Sequence, residues 1–223
     1  MSHPEQIVFI ERVLSLFPEF KTPDAILEIG SQNINGTVRD LFNPRKYIGI
    51  DIDAAKDVDF VCPGELLELP DGWCDLAMST ECLEHAIEWD NIAKNAIRAC
   101  KPKGLVIFTF AGLYRPCHGT IDSRDPSSSP ATLNYYGNIG KDQFFSAIEL
   151  GELFDRYSFE ANMVSGDSYF WGIRSSKAVS YKNDSAAILA ERLSRAQGQL
   201  GQALSRLASA NKKISDLEQL IPE

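Results

Sequence analysis

Ala25-Ile-Leu-Glu-Ile-Gly-Ser-Gln-Asn-Ile-Asn-Gly-Thr-Val-Arg-Asp-Leu-Phe42 is the stretch whose reading decides the fold. Apolar residues lead into an acid, Glu28, and a glycine, Gly30. A polar segment follows, and a helical pattern then runs from about Gly36 to Phe42. A buried strand that delivers a ligand-binding turn at its carboxyl end reads this way. Gly30 lets the backbone approach a ligand because it has no Cβ. Glu28 adds a fixed negative charge, which repels a pyrophosphate and suits a cationic ligand. The same residues also read as an ordinary strand–turn–helix, and this stretch alone leaves both open.

Further strands follow at regular spacing. They are expected at 46–53, ending in Asp51 and Asp53, then at 58–62, 74–80 and 105–110. A helix is expected over 89–100, and Lys101-Pro-Lys-Gly104 reads as a turn. Upstream, residues 2–20 read as a helix capped by Ser2, with Ile7, Ile10, Val13, Leu14 and Phe17 on one stripe. Residues 111–145 break the rhythm and carry Tyr114, His118, Tyr135, Tyr136, Phe144 and Phe145. A helix at 146–157 precedes two strands, 158–164 and 168–174, joined at Ser165-Gly-Asp167. Strands alternating with helices give an α/β doubly wound sheet, here seven-stranded, mainly parallel and Rossmann-like, with the last strand antiparallel. Ligands in such sheets sit at the carboxyl ends of the strands.

The composition is that of a soluble globular chain, and no apolar run approaches the roughly 20 residues of a membrane span. The start, Met-Ser-His-Pro-Glu-Gln, lacks the basic region of a secretory signal. Cysteines at 62, 74, 82, 100 and 117 form no Cys-x-x-Cys pair, which points to a reducing cytoplasm. From Asp184 onward acids and bases balance, so residues 1–183 carry the whole net charge of −9. That surface disfavours nucleic acid. Over 184–223 the residues Ala186, Leu193, Leu200, Leu207, Ile214 and Ile221 fall seven apart, and Leu189, Ala196, Ala203, Ala210 and Leu217 fill the second seam. The segment therefore reads as a C-terminal coiled-coil helix, implying a homo-oligomer or the junction to a further module.

Leu27-Glu-Ile-Gly30, Tyr47-Ile-Gly-Ile-Asp51, Leu69-Pro-Asp-Gly-Trp-Cys-Asp75, Ser79-Thr-Glu-Cys-Leu-Glu-His85 and the 101–104 turn, in that order, resemble the class I methyltransferases that use S-adenosylmethionine. The resemblance covers about residues 20–175. The first motif departs from the family's acid-x-Gly-x-Gly-x-Gly pattern, because Gln32 and Ile34 stand where two glycines are usual. The resemblance implies that S-adenosylmethionine is held by Glu28, Gly30, Ser31 and Thr80 at its amino-acid end. Asp51 accepts the ribose hydroxyls through its two oxygens. Ile52 and Leu66 flank the adenine, and the backbone of Gly64 and Glu65 reads its edge. NAD is the rival ligand of such a fold, but Gly-x-Gly-x-x-Gly is missing and Glu28 sits where pyrophosphate approaches.

Methyl transfer to a hydroxyl also needs a base. His85, after the fourth strand, and His118, in the aromatic segment, are the candidates. Tyr114, Tyr135, Tyr136 and Trp171 are candidates for an acceptor wall. Glu81, Glu84 and His85 resemble a cluster considered as a metal site in quinone-biosynthesis methyltransferases. The two acids straddle a turn, so no metal is expected. The reading is O-methylation of a small-molecule or glycan acceptor, with surface polysaccharide biosynthesis suggested by analogy to enzymes that join such modules. The alternative is a non-catalytic scaffold that recruits a partner through its coiled coil.

Overall fold

A computed structural model describes residues 4–123, 132, 134–177 and the isolated positions 190, 193, 194 and 197. By contacts the chain divides into two units, Met1–Asn183 and Asp184–Glu223. In the second unit the four described positions are helical, and the rest of the heptad segment lies outside the described residues.

Seven strands build the first unit: β1 (Ala25–Ile29), β2 (Lys46–Asp51), β3 (Phe60–Val61), β4 (Cys74–Thr80), β5 (Cys100–Ala111), β6 (Phe154–Ala161) and β7 (Asp167–Arg174). They form one sheet in the order β3-β2-β1-β4-β5-β7-β6. The first five run parallel, and β7 is antiparallel to both β5 and β6. The expected doubly wound sheet is therefore present. Its antiparallel strand, last in sequence, lies inside the sheet rather than at its edge.

Every residue of β1 is buried, so its two faces are covered. On one face Leu27, Ile29, Ala77, Val106 and Phe108 pack with Ile92, Ala93 and Ala96 of helix α2 (Trp89–Ala99). On the other, Ile26, Leu76, Met78 and Ile107 pack against Phe9, Ile10, Val13 and Leu14 of helix α1 (Pro4–Leu16). The α1 stripe is wider than expected. Phe9 and Gln6 are also buried, and Gln6 donates to the Thr109 hydroxyl of β5.

Three expectations are corrected. The helix read over Gly36–Phe42 is only a single 3₁₀ turn, Arg39–Leu41. Seven residues containing Gly36, Thr37 and Val38 cannot offset helix nucleation by themselves. Lys101–Gly104 is not a turn between elements but an irregularity within β5. Cys74 pairs with Cys100, pairing resumes at Leu76–Leu105, and Lys103 takes a positive φ of 67°. The helix read over 146–157 is two short helices, α3 (Lys141–Ala147) and α4 (Leu150–Leu153), and the chain is already β6 at Phe154. A register shift between Phe154 and Arg156 hides the two-residue alternation of that strand in the sequence.

Phe144 of α3 joins these parts. It is fully buried, with ring centroids 5.3 Å from Phe110 and Phe170 and 6.1 Å from Trp89. Phe144→Ala should cost about 3–5 kcal/mol. Urea unfolding at constant m-value measures this, and a loss below about 1 kcal/mol would show that the site is not packed as described.

Candidate functional site

The segment after β1 takes a path set by hydrogen bonds to β2. The N–H groups of Gly30 and Ser31 both donate to the Ile50 carbonyl, at 2.8 and 3.0 Å. Gln32 N–H donates to Asp51 Oδ2 at 3.0 Å, and Asn33 N–H donates to the Lys56 carbonyl. These amides are consumed inside the protein, so the segment runs along the β2 end instead of opening a helix. Gly30 is required there twice over. Its φ is +83°, and a Cβ on it would lie 2.4 Å from the Cβ of Cys82.

Glu28 points to the α1 side and is buried. It accepts from the Tyr47 hydroxyl at 2.7 Å, and the Arg39 guanidinium stacks 4.2 Å over that tyrosine ring. Burial pushes its carboxyl up from 4.5 to about 7, against the pull of Tyr47 and Arg39. Asp51 stands at the end of β2, its two oxygens accepting from Gln32 N–H and Ile52 N–H. Each carboxylate oxygen has two lone pairs, so these bonds leave acceptor capacity on both. Burial raises the Asp51 carboxyl above its usual range.

Gly64, Glu65 and Leu66 form a 3₁₀ turn that the sequence reading missed. Buried Asn95 of α2 fixes it by donating to the Gly64 and Glu65 carbonyls at 2.9 and 3.0 Å. The signal for Asn95 was available, since an amide stands on the apolar Ile92–Ala96–Ala99 face of its helix. Ser31 and Thr80 are buried at the ends of β1 and β4. Gly30, Ser31, Asp51, Ile52, Gly64–Leu66 and Thr80 thus all lie at the carboxyl side of adjacent strands, where the fold opens a crevice.

A second group lies after β4, β5 and the start of β7. Glu84 is fully buried, and Glu81 and Asp167 nearly so. None of their six carboxylate oxygens makes a well-formed hydrogen bond among the described residues, although the Thr109 hydroxyl lies near Glu81 and the Ala111 N–H near Glu84. The nearest cation contact is Arg115 Nε at 3.6 Å from Asp167 Oδ1. Burial drives the Glu81 carboxyl well up, reinforced by Glu84 and Asp167, and brings Glu84 to about 7. His118 Nδ1 lies 3.1 Å from the Pro116 carbonyl, which assigns the proton to that nitrogen. Its Nε2 is then a bare acceptor, 3.9 Å from Glu84 Oε1. His85 Nδ1 is also buried and unpartnered. The His85 and His118 rings meet edge-on at 5.2 Å, and Tyr136 lies against both, at 5.6 and 4.9 Å. Burial holds both imidazoles below their usual range, His85 down to about 4.

The irregular segment is folded over this group by backbone and amide contacts. Gly137 N–H donates to the Glu84 carbonyl, and Asn138 donates to the carbonyls of Gly112 and Arg115. His118 also lines an open cavity of about 600 Å³ with Arg115, Cys117, Thr120 and Asp122. Of the four acceptor-wall candidates, Tyr136 reaches the histidines and Tyr135 is half-buried next to it. Tyr114 is 73% exposed and lines a neighbouring groove with Leu113 and Met163. Trp171 is corrected. It is half-buried mid-strand in β7 and packs edge-on against Phe17 at 5.0 Å, against the core on the α1 face. Asp167 and Arg115 were not singled out from sequence, because only the β5–β7 pairing brings Asp167 opposite Ala111.

With this geometry described, comparison with known proteins gives the family. A family described as a methyltransferase domain matches residues 3–163, most of the chain. The chain belongs to that methyltransferase family. No curated protein matches its sequence. Among solved structures it is similar to the YcgJ protein of Bacillus subtilis, with a TM-score of 0.55 at 10% identity over 78% of this chain and 100% of that one. It is also similar to the N-methyltransferase NodS of Bradyrhizobium japonicum, crystallised with S-adenosylhomocysteine, with a TM-score of 0.52 at 12% identity over 79% and 90%. A phosphoethanolamine N-methyltransferase of Haemonchus contortus, also holding S-adenosylhomocysteine, matches with a TM-score of 0.52 at 15% identity over 78% of this chain and 53% of that one. At such identities these likenesses show the fold. Among the described residues no helix is long and apolar enough to cross a membrane.

The Glu28 carboxyl gives a pH signature. Its folded value, about 7, exceeds its ordinary 4.5, so the folded state holds this proton more tightly. Stability from this group is therefore lost as pH rises from 4.5 through 7, by on the order of 3 kcal/mol. Glu28→Gln should shrink the fall in urea-unfolding stability between pH 5 and pH 8 relative to the parent protein. An equal fall in both proteins would refute the assignment.

Proposed function

We propose that this enzyme transfers the methyl group of S-adenosylmethionine to a hydroxyl oxygen of a small-molecule or glycan acceptor. The observation that carries the reading is a set of buried proton acceptors on His85, His118 and Glu84, unpartnered among the described residues and next to the crevice at the strand ends. An acceptor hydroxyl must lose a proton as it attacks, and that group can take it. The hydroxyl oxygen bonds to the methyl carbon, and the carbon–sulfur bond breaks with its electron pair going to sulfur. The sulfonium becomes a neutral thioether, and the hydroxyl proton passes to a histidine ring. Positioning and exclusion of water supply most of the rate.

In this reading Asp51 holds the ribose, and Ile52 and Leu66 flank the adenine beside the Gly64–Glu65 backbone. Glu28, Gly30, Ser31 and Thr80 frame the amino-acid end. The fixed negative charge of Glu28 becomes available to a cation only once the carboxyl ionises. Tyr136, with Tyr135 and Tyr114 further out, contacts the acceptor. The unpaired state of all five cysteines supports a cytoplasmic setting. The heptads of 184–223 support a homo-oligomer, and a role in polysaccharide synthesis is the setting we favour.

Calorimetry with S-adenosylmethionine separates the enzyme from a scaffold of the same fold. Saturable binding is expected, together with a gain of one CH₂ by an acceptor fraction in mass spectrometry. Absence of binding at millimolar cofactor would leave the scaffold. Asp51→Ala should weaken cofactor binding by about 1.5–3 kcal/mol, the loss expected for a charged hydrogen bond. Unchanged affinity would remove the ribose role. Truncation at Asp184 should lower the number of chains per particle in light scattering while cofactor binding persists, and an unchanged number would remove the coiled-coil oligomer.

A further inference from the structure

The group beyond β4 has an electrostatic difficulty that the methyl-transfer reading leaves unsolved. Glu81, Glu84 and Asp167 place three carboxyl groups in a volume shut off from water. Arg115 Nε stands 3.6 Å from Asp167 Oδ1. If all are ionised, the ion pairs among the described residues leave negative charge in excess. Buried charge of that kind persists only with a cation, with protons, or with a partner.

The same volume holds two imidazoles, each with a ring nitrogen directed inward. His118 Nε2 and His85 Nδ1 are buried without hydrogen-bond partners among the described residues, as are both oxygens of Glu84. One ligand atom from each of Glu84, His85 and His118 lies within 4.8 Å of the other two. A point therefore exists within about 2.8 Å of all three (the 4.8 Å limit divided by √3). Small side-chain rotations close that to the roughly 2.0–2.2 Å of a transition-metal bond. The proton on His118 Nδ1 is held by the Pro116 carbonyl, the outer contact that orients a metal-binding histidine.

We propose that Glu84, His85 and His118 form a binding site for one divalent first-row transition ion, of which Zn²⁺ is the representative. Two imidazoles and one carboxylate suit such an ion better than Mg²⁺ or Ca²⁺, which prefer all-oxygen surroundings. A charge of +2 offsets the excess of buried carboxylates over cations among the described residues. Glu81 and Asp167 lie beyond the ligands and hold the surrounding potential negative. Three protein ligands leave a coordination position open, as in catalytic rather than structural sites.

The ligand set explains why the sequence alone gave no metal. Glu81 and Glu84 do straddle a turn, but the third ligand comes from 33 residues beyond His85, in the segment folded back by Gly137 and Asn138. Ion binding stands independently of the methyl-transfer reading. Its use in catalysis rests on that reading, and in the loaded protein the histidines act as ligands rather than bases. An acceptor hydroxyl at the open position would then lose its proton more readily, with Glu81 next in line to receive it.

The test uses the full chain, stripped with a chelator and without cofactor or acceptor. Titration with Zn²⁺ should show one saturable site and a rise in melting temperature that the chelator reverses. Glu84→Gln and His118→Ala should each weaken binding by about 100-fold or more. With Co²⁺ the parent protein should show visible ligand-field bands without thiolate charge-transfer absorption, and His118→Ala should lose them. Circular dichroism establishes that each variant is folded, and the parent titration stands even if one is not. No saturable binding would mean that the carboxyls are neutralised by protons, and would overturn the proposal. Binding that survives both substitutions, or thiolate absorption that marks the free cysteines as ligands, would overturn it equally. Failure of methyl transfer with intact ion binding would count against the functional reading alone.

Discussion

The close approach of Gly30 to Cys82 is the constraint on which the site end of this sheet depends. The chain leaves β1 at a φ of +83°, and any Cβ at that point would overlap the Cys82 side chain. Only glycine tolerates both conditions. The turn then lies flat enough for Gly30 and Ser31 to share the Ile50 carbonyl, which locks the end of β1 to β2. The ends of β1, β2 and β4 are thereby held in one crevice. The residues proposed to hold the cofactor and the buried acids are arranged around it.

The missing glycines at 32 and 34 have a physical counterpart. In this chain the amides of Gly30 to Asn33 are spent on β2 and on the loop that follows it. They are not free to line a ligand, and no helix begins there. In the proposed site, holding the cofactor falls largely to side chains and to the turn at Gly64–Leu66. That turn is itself supported from behind by Asn95. A degraded motif is thus compatible with an ordered strand end, because hydrogen bonds to β2 replace the geometry that glycines would otherwise permit.

The two ends of the crevice differ in electrostatic character. At Glu28 a single buried acid is satisfied by Tyr47, with Arg39 stacked behind the ring. Beyond β4 three acids are buried without comparable partners among the described residues. The first arrangement is self-contained. The second is left open among the described residues, to be met by protons, an ion or a substrate. Functional sites are where a fold tolerates such unmet demands, since well-packed apolar residues would be more stable in their place.

The sequence by itself determined the sheet class, the burial of β1, the bounds of β4 and most of α2. These follow from local apolar runs and from glycine and proline placement, which need no distant partner. It also placed Gly30, Asp51, His85 and His118 at strand ends or in the irregular segment, since strand order fixes where a fold of this class binds. The tertiary structure decided the rest. The turn to a strand at Phe154 depends on pairing with β7, and a register shift concealed it. Trp171 packs against the core because Phe17, just past the end of α1, meets it, a contact between residues 154 apart in sequence. Asp167 and His118 join Glu84 only because β7 inserts against β5 and the segment between them folds back. A spacing rule can see neighbours along the chain, whereas a buried charge cluster is a property of what the folded chain brings together and shuts off from water.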